Sequence, residues 1–399
     1  MHYFTSITAN YLPKARVLAE SVKRHNPDAA FYLMLADDPP GGFNLADEPF
    51  DALLGLEDLG IDNLDAWVFK HRVVELCTAV KGPAFVRIFE QAGADKVVYL
   101  DPDIVVLADL RQLAAMLDEA SVVLTPHQLV PETDREAVID NEICSLKHGV
   151  YNIGFLAIRD DAQGMRFLRW WRDRLLEFCY DDIPNGLFTD QRWVDLAPAF
   201  FDNVRILRDP TYNVATWNLT HRHVTEADDG RLVIDGEPIK FYHFSGFDSG
   251  DQAVMLGKYA PSGSPLFDLR KRYIEWLDAA GQRELGQLPS KHATFSNGEP
   301  ISPESRIVYR LREDLQRAFP RPAEVVEERP CYYYWFKKTW PEEKARPSGV
   351  AAGVPTSASA AVGVLSGELQ AVYRSRSYRL GRAITRPYRL VRRLLRRGP

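Results

Sequence analysis

Apolar runs of strand length alternate with helical patterns along the first hundred residues. Residues 4–8, 31–36 and 97–100 read as strands, while residues 12–25, with apolar or small side chains at three-and-four spacing, and residues 75–92 read as helices. A repeated strand, helix, strand order is typical of a wound parallel sheet. The pattern therefore predicts an α/β fold whose mostly parallel, Rossmann-like sheet carries helices on both faces.

The pattern changes along the rest of the chain. Strands are expected at residues 154–158 and 239–244, a helix rich in Trp and Arg at 165–180, and mostly helices beyond. Residues 348–367, rich in Ala, Gly, Ser and Val, read as a flexible linker because they cannot build a core. We expect a main domain over residues 1–260, a mostly helical extension over 261–345, a flexible linker over 346–368 and a basic amphipathic tail over 369–399.

Size and composition indicate a globular protein. The chain has 399 residues, 46% of them hydrophobic, which is enough for a sizeable core. The first residues lack the basic region and long apolar core of a signal peptide, and no stretch is long and uncharged enough to span a bilayer. Four scattered cysteines contain no Cys-x-x-Cys pair, so neither a disulfide framework nor a zinc ribbon is indicated. We expect a cytoplasmic protein with reduced thiols.

Charge is distributed unevenly along the chain. The formal net charge of the chain is −6. Beyond Glu368 there is no acidic residue and ten arginines contribute +10, so the residues up to 368 carry a net charge of −16. Apolar residues recur among these arginines at helical spacing, which is typical of a helix lying on an anionic membrane surface, although Pro387 would divide it. A disordered basic tail and a docking segment for an acidic partner remain alternatives. Because the acidic body repels phosphates, we expect no nucleic-acid partner.

The segment after the third predicted strand carries the most specific chemistry. Asp101 and Asp103 follow the apolar residues 97–100 and flank Pro102. In an extended backbone, residues two apart project to the same side, so both carboxylates face one cation if strand geometry persists through Pro102. Ligands bind beyond the carboxyl ends of parallel strands. The alternative is a simple turn, because Asp and Pro are common turn residues.

A first polar cluster follows the first predicted strand. Thr8, Asn10 and Tyr11 combine an aromatic ring with polar groups that are suited to holding a nucleobase. The same residues suit a helix start, with Asn10 as N-cap and Pro13 in the first turn. Both interpretations stay open.

A second cluster places cations upstream of the aspartates. Lys81 precedes Gly82 and Pro83, and Arg87 follows about a turn and a half later, so the two charges suit a diphosphate. The alternative is a solvated surface position, because Lys and Arg on helices mostly face water.

Further polar residues occur near later strand ends. Asn152 lies between Gly149 and Gly154, which would let a polyhydroxylated ligand approach the backbone closely. Asp190 and Gln191 place a carboxylate beside an amide, although Asp190 also suits a helix N-cap.

His243 begins a His-Phe-Ser-Gly motif that ends with Gly246, after an apolar strand. Its imidazole is suited to completing the coordination of Mn²⁺ beside carboxylate oxygens. A hydrogen-bonded structural histidine is the alternative.

Four short motifs follow one another over about the first 250 residues: Tyr-Leu-Asp-Pro-Asp-Ile at 99–104, Asn-Ile-Gly-Phe at 152–155, Thr-Asp-Gln at 189–191 and His-Phe-Ser-Gly at 243–246. In this order they resemble the GT-A-fold glycosyltransferases, and within them the branch containing glycogenin and bacterial lipopolysaccharide galactosyltransferases. The resemblance implies a GT-A fold. It also implies transfer of a sugar from a nucleotide-sugar donor, UDP-linked, to a glycan or lipid-linked acceptor, with retention of anomeric configuration.

The resemblance also implies roles for individual residues. Asp101 and Asp103 would form a D-x-D motif that holds Mn²⁺ or Mg²⁺, with His243 as the remaining protein ligand. Donor contacts would come from Thr8, Asn10, Tyr11, Lys81, Asp101, Asn152 and Gly246. We further hypothesise that Asp190 and Gln191 are catalytic, positioning the donor and shielding its anomeric centre.

One segment departs from the family pattern. After His-Phe-x-Gly the family continues toward Lys-Pro-Trp, whereas residues 247–250 read Phe-Asp-Ser-Gly. This removes a phosphate-binding lysine, so either Lys258 or an arginine substitutes, or the diphosphate contacts differ.

The tail and the resemblance together suggest a biological setting. A cytoplasmic transferase held peripherally at the inner face of the membrane suits lipid-linked surface-polysaccharide or lipopolysaccharide synthesis.

Two other functional classes remain open. In a haloacid-dehalogenase-like phosphatase Asp101 would be phosphorylated, although that motif usually begins the chain. The second class is a non-catalytic sugar-binding scaffold with a transferase-like fold, because the phosphate-binding lysine of the family pattern is missing.

Overall fold

The computed structural model, which describes residues 1–327 and 329–345, is built around a seven-stranded sheet with the order β10-β6-β7-β4-β1-β2-β3. The strands are β1 His2–Ile7, β2 Ala30–Leu35, β3 Ala52–Leu54, β4 Lys96–Leu100, β5 Ile104–Val106, β6 Val122–Pro126, β7 Tyr151–Arg159, β8 Asp181–Asp182, β9 Leu187–Phe188, β10 Val204–Ile206, β11 Val224–Glu226, β12 Leu232–Ile234, β13 Glu237–Pro238 and β14 Phe241–His243.

Helices surround this sheet and fill the C-terminal part of the described chain. They are α1 Leu12–His25, α2 Leu64–Phe69, α3 Val73–Ala79, α4 Lys81–Ala92, α5 Arg111–Glu119, α6 Arg135–Ala137, α7 Cys144–His148, α8 Ala162–Phe178, α9 Gln191–Val194, α10 Ala197–Phe200, α11 Asp251–Tyr259, α12 Leu266–Ala279, α13 Gln282–Leu285, α14 Pro303–Leu311, α15 Glu313–Ala318, α16 Tyr332–Lys338 and α17 Trp340–Ala345. A π-helical turn, Val138–Ile143, joins α6 to α7.

The central sheet is mostly parallel and is buried on both faces. Parallel pairs join β10 to β6, β4 to β1, β1 to β2 and β2 to β3, whereas β7 runs antiparallel to both of its neighbours. Successive residues of β4 enter different cores: Val97 and Tyr99 pack with α4 and α8, while Val98 and Leu100 pack with α1 and α5. This arrangement confirms the predicted α/β class with helices on both faces.

Most predicted elements are present, with local differences. Helix α1 spans residues 12–25 as expected, but the predicted helix at 75–92 is divided into α3 and α4 at Val80. Pro83 lacks a backbone N–H to donate to Ala79, which favours the break. Strands β3, β6 and β10, which belong to the sheet, were not predicted.

The C-terminal helices pack against the sheet domain. The Phe69 ring of α2 lies edge-to-face with Tyr309 and Tyr332, at centroid distances of 5.1 and 5.4 Å. Arg310 pairs with the buried carboxylate of Glu75 at 3.0 Å, and its guanidinium lies 3.6 Å from the Tyr180 ring centroid. A helical C-terminal part is thus confirmed.

The domain boundaries stay a prediction. The one at residue 260 falls inside a cluster that joins Leu256 to Leu266 and Tyr273. The linker at 346–368 and the tail at 369–399 lie outside the described residues. Within residues 1–327 and 329–345, no helix combines the length and the apolar character needed to cross a bilayer.

Candidate functional site

Two carboxylates and one imidazole converge beyond the carboxyl end of β4. Asp101 follows β4 directly and Asp103 precedes β5, while antiparallel pairing of β5 with β14 sets His243 opposite Ile104. The Nε2 atom of His243 lies 3.1 Å from Asp103 Oδ1 and 3.8 Å from Asp101 Oδ2. Candidate ligand atoms of all three side chains lie within 4.8 Å of one another. We call Asp101, Asp103 and His243 the triad.

The backbone that carries the aspartates is a turn rather than an extended strand. The amide of Ile104 donates to the carbonyl of Asp101 at 3.1 Å, and Pro102 and Asp103 form the turn. The condition that strand geometry persists through Pro102 is therefore not met, and the alternative of a turn describes this backbone. The carboxylates still converge on His243, because the chain turns and continues as β5 beside β14.

A neighbouring asparagine fixes the orientation of the imidazole. Asn213 is fully buried, and its Oδ1 lies 3.3 Å from His243 Nδ1. An amide oxygen only accepts, so Nδ1 carries the hydrogen and Nε2 faces the aspartates. The Asn213 amide nitrogen in turn donates to Asn152 Oδ1 at 3.2 Å. The predicted alternative of a hydrogen-bonded histidine is therefore compatible with a ligand role.

The triad attracts positive charge. Burial would lower the pKa of His243, but the Asp103 carboxylate outweighs it and raises that pKa. Burial likewise opposes ionisation of Asp103, yet His243 holds the pKa of Asp103 below its usual range. Two carboxylates with one imidazole nitrogen suit Mn²⁺, and the oxygen ligands also suit Mg²⁺. These three residues would hold the ion.

Gly154 makes this convergence sterically possible. A Cβ atom at this position would lie 2.5 Å from His243 Cε1, 2.7 Å from Asn152 Oδ1 and 2.9 Å from Asp101 Oδ2. Its carbonyl also accepts from the amide of Asp101 at 2.8 Å. The glycine predicted to admit a ligand thus makes room for the triad itself.

Lys81 is a buried cation beside the triad. Its side chain is 3% exposed, and its Nζ lies 3.3 Å from Asp101 Oδ1, 2.9 Å from Asp190 Oδ2 and 3.0 Å from the Ile153 carbonyl. Burial disfavours the charge, but Asp101 and Asp190 outweigh it and hold the pKa of Lys81 well above its usual value. The alternative of a solvated lysine was therefore wrong. Arg87 instead lies near Glu90, at 3.8 Å.

Asp190 occupies the N-cap position of α9, but its side chain does not cap the helix. It points to Lys81 and accepts from Thr189 Oγ1 at 3.0 Å. Thr189 adopts a φ of 44°, which is strained for a β-branched residue. Burial raises the pKa of Asp190, and the Lys81 ammonium only partly offsets this effect.

Gln191 and Asn152 are joined through backbone and side-chain contacts. Gln191 Oε1 accepts from the amide of Ile153 at 3.0 Å, and its Nε2 donates to the His148 carbonyl at 3.1 Å. Asn152 Nδ2 lies 3.5 Å from the same Gln191 oxygen. These contacts hold both amides at the start of β7.

The first predicted cluster and Gly246 come from two separate loops, one between β1 and α1 and the other after β14. Thr8 Oγ1 donates to Asn10 Oδ1 at 2.8 Å, and the Tyr11 amide donates to the Thr8 carbonyl at 2.9 Å. The N-cap of α1 is Tyr11, so the alternative of Asn10 as N-cap was wrong. Gly246 adopts a φ of 76° in the loop after β14.

A cavity of about 750 Å³ opens beside the triad, within the size range of small-molecule sites. Its other walls come from residues 72–75, which include the start of α3, and from the π-helical turn and α7. Its lining includes the predicted metal ligand His243 and five of the nine predicted donor-contact and catalytic residues, namely Lys81, Asp101, Asn152, Asp190 and Gln191. The other four, Thr8, Asn10, Tyr11 and Gly246, are not part of this lining.

Three residues near the site were not identified from the sequence. Asn213 orients His243, and Tyr99 donates its hydroxyl to Asp101 Oδ1 at 2.6 Å. Lys14 is buried in the first turn of α1, and its Nζ pairs with Asp248 Oδ2 at 2.5 Å. A lysine in an otherwise apolar helix face was a signal for Lys14. Tyr99 begins the first motif and lies two residues before Asp101, but the motif gave no role for its hydroxyl. Asn213 gave no signal, because only the fold brings it to the triad.

The chain is similar to two uncharacterized proteins of Bacillus subtilis (strain 168). It is 32% identical to YfnF over 177 residues, which cover 43% of this chain and 57% of the length of YfnF. It is 26% identical to YfnD over 252 residues, which cover 62% of this chain and 78% of YfnD. No protein-family model matches the chain.

Among solved structures, the chain aligns with the galactosyltransferase LgtC in complex with donor and acceptor sugar analogs. The TM-score is 0.37 at 18% identity, and the alignment covers 65% of this chain and 97% of that chain. At this TM-score the likeness does not by itself assign a function.

Proposed function

We propose that this protein is a metal-dependent glycosyltransferase of the GT-A type. It would move a sugar from a nucleoside-diphosphate donor, UDP-linked, to a glycan or lipid-linked acceptor, with retention of configuration. The observation that carries the proposal is the convergence of Asp101, Asp103 and His243 next to the buried Lys81–Asp190 pair. All of these residues except Asp103 line one cavity. The order of the four sequence motifs supports the same chemistry.

Glycosyl transfer breaks the bond between an anomeric carbon and a diphosphate. Negative charge grows on the leaving group while the sugar becomes oxocarbenium-like. A divalent ion held by the triad would act as a Lewis acid toward the departing diphosphate. The protein's own task is to hold the diphosphate and the sugar in fixed positions, so that little reorganisation accompanies bond cleavage.

The Lys81–Asp190 pair suits the sugar side of this reaction. Asp190 lines the cavity as a buried carboxylate, and Lys81 keeps it beside Asp101. A fixed negative charge stabilises positive charge that develops at an anomeric carbon. Asp190 would therefore face the anomeric centre, and Gln191 and Asn152 would hydrogen-bond sugar hydroxyls from the start of β7.

The acceptor would enter the same cavity. Its wall includes Val74 of α3, which is 70% exposed, the polar Ser145 and the buried Asn141. The proposed setting is synthesis of surface polysaccharide or lipopolysaccharide, with the Arg-rich tail on an anionic membrane surface. Sedimentation of the full-length chain with phosphatidylglycerol vesicles, but not with phosphatidylcholine vesicles, would support the membrane part.

The catalytic proposal is tested by screening nucleotide-sugars for hydrolysis with Mn²⁺, using the wild type and Asp103→Asn. We expect release of nucleoside diphosphate from one class of donor, lost in the variant and on adding a chelator. Phosphate release without any sugar donor would instead favour the phosphatase alternative. Absence of both Mn²⁺ and UDP binding in calorimetry would favour a scaffold.

A further inference from the structure

Lys14 is a buried lysine with an unusual partner. Its side chain is 2% exposed, and the partner carboxylate of Asp248 is 47% exposed. The Lys14 ammonium also lies 4.1 Å from the Tyr11 ring centroid, and the Tyr11 hydroxyl donates to the same Asp248 oxygen. Burial of an ammonium group is costly unless an anion compensates it. The site around Lys14 is therefore built for an anion.

The two partners differ in how firmly they are held. Lys14 belongs to α1, which packs on the sheet through both of its neighbouring cores. Asp248 lies in the loop between β14 and α11, which contains Gly246 and Gly250 at φ values of 76° and 89°. The carboxylate thus comes from a surface loop, whereas the ammonium is fixed.

The Lys14 site adjoins the triad. The loop begins at Phe244, whose amide donates to the Asp103 carbonyl at 2.8 Å. The Phe244 ring in turn lies 6.3 Å from the Phe247 ring, and the Lys14 ammonium lies 5.7 Å from the Phe247 ring centroid. Lys14 is therefore linked to Asp103 through two neighbouring aromatic residues of the loop.

Because the family's phosphate-binding lysine is missing, another cation is needed near the diphosphate. Lys258, one of the replacements considered from the sequence, pairs with Glu136 at 2.7 Å and also contacts Asp140. Glu136 belongs to α6, whereas Asp140 belongs to the π-helical turn and lines the cavity. Lys258 is thus already neutralised by two acidic residues.

We propose that Lys14 is the cation that receives the donor diphosphate, and that Asp248 pairs with its ammonium until the donor displaces it. The inference rests on the proposed function, because it assumes a diphosphate beside the triad. The exchange replaces one carboxylate by a more highly charged phosphate group on a fixed ammonium. It also frees the Tyr11 hydroxyl from Asp248.

The test compares Lys14→Met, Asp248→Asn and the control Lys258→Met by calorimetry with Mn²⁺ alone, and with UDP or UMP in the presence of Mn²⁺. We expect Lys14→Met to weaken UDP binding by about tenfold or more, as for loss of one charge-assisted hydrogen bond, and UMP binding by less. Asp248→Asn should strengthen UDP binding, because it removes the competing anion. Lys258→Met should leave UDP binding within twofold.

The outcomes separate the two proposals. If the wild type binds UDP with Mn²⁺ and Lys14→Met binds it equally well, the role of Lys14 is overturned while the proposed function stands. If the wild type binds neither Mn²⁺ nor UDP, both fall. A merely structural pair would make both variants less stable without opposite effects on affinity. Should Lys14→Met fail to fold, Asp248→Asn decides, and unchanged or weaker UDP binding overturns the proposal.

Discussion

The Lys81 ammonium lies 2.9 Å from Asp190 Oδ2, and both side chains are at most 4% exposed. Desolvation disfavours both ions, so each stabilises the charge of the other, and Asp101 adds a second carboxylate at 3.3 Å from the ammonium. The pair therefore links the start of α4 to the start of α9 across the cavity wall. It combines a structural task with the chemistry proposed for Asp190.

Removal of one partner should be costly. We expect Lys81→Met to lower the free energy of unfolding by about 3 to 5 kcal/mol, since it leaves buried carboxylates without a cation. Urea denaturation followed by circular dichroism measures this change. The control Lys271→Met removes a lysine from a fully exposed pair with Asp268 and should leave the midpoint unchanged. Equal midpoints for Lys81→Met and the wild type would contradict the interpretation.

Asn213 should control metal affinity through His243. Asn213→Gly removes the hydrogen-bond acceptor for Nδ1 but tolerates the φ of 53° at this residue. We expect Mn²⁺ affinity, measured by calorimetry, to fall by about 10- to 100-fold, as for other residues that orient a metal-ligating histidine. Asn203→Gly is the matched control, because Asn203 has a φ of 62° and lies away from the triad. Equal Mn²⁺ affinities in the two variants would refute an orienting role.

A methyl group at position 154 should disrupt the triad. Because an added Cβ would lie 2.5 Å from His243 Cε1, Gly154→Ala must displace the imidazole or the backbone of β7. We expect loss of Mn²⁺ binding and of donor hydrolysis, together with a lower thermal midpoint. Gly257→Ala serves as control, since nothing lies within 4 Å of a Cβ at that position. Retention of full Mn²⁺ affinity in Gly154→Ala would show that the triad does not bind the ion.

Stability should fall on acidification through buried histidines. Burial lowers the pKa of His71 to about 3, and its Nδ1 lies 2.8 Å from the Trp67 carbonyl. The unfolded chain protonates this histidine near pH 6.5 while the folded chain does not, so stability is lost as the pH falls from about 6.5 toward about 3. His127 and His292 act in the same direction, because burial lowers the pKa of each to about 4.

Urea denaturation at pH 7 and pH 5 measures this loss. For His71 alone we expect about 2 kcal/mol between these pH values. The variant His71→Gln keeps an amide donor for the Trp67 carbonyl but cannot be protonated, so its pH dependence should be weaker. An identical slope in the wild type and His71→Gln would exclude His71 as a source of the acid sensitivity.

Sequence patterns predicted the architecture where local signals were strong. Helix α1 and strands β1, β2 and β4 carry clear periodicity or apolar runs, whereas β3 and β10 contain three residues each. Such short strands owe their existence to pairing with β2 and β6 rather than to a local pattern. They could not be recognised before the sheet was known.

The candidate site was predictable where its residues lie in motifs. Asp101, Asp103 and His243, which the motifs assign to one metal site, lie together in the structure, although a turn and not an extended strand brings the two aspartates there. Their role as metal ligands stays a prediction. Asn213 could not be found, because its relation to His243 depends on a separate segment that reaches β14 only in the fold. The burial of Lys81 could likewise not be predicted from the sequence, because it depends on how closely α4 packs against α8. Gly82 permits this close packing, since a Cβ at position 82 would lie 2.8 Å from the Arg172 backbone of α8.

The reversed direction of β7 within the sheet has a further consequence. In the parallel strands, the residues that follow the carboxyl end lie at the sheet edge where the triad is found. In a strand of opposite direction, the residues that precede the amino end lie at that same edge. The segment before β7 therefore reaches the same edge as the triad and brings the π-helical turn and α7 to the cavity wall. Under the proposed function, changes in the residues of this segment that line the cavity would alter which acceptor enters, whereas Lys81, Asp101 and Asp103 come from other parts of the chain. Acceptor preference would then be free to diverge among chains that share one donor.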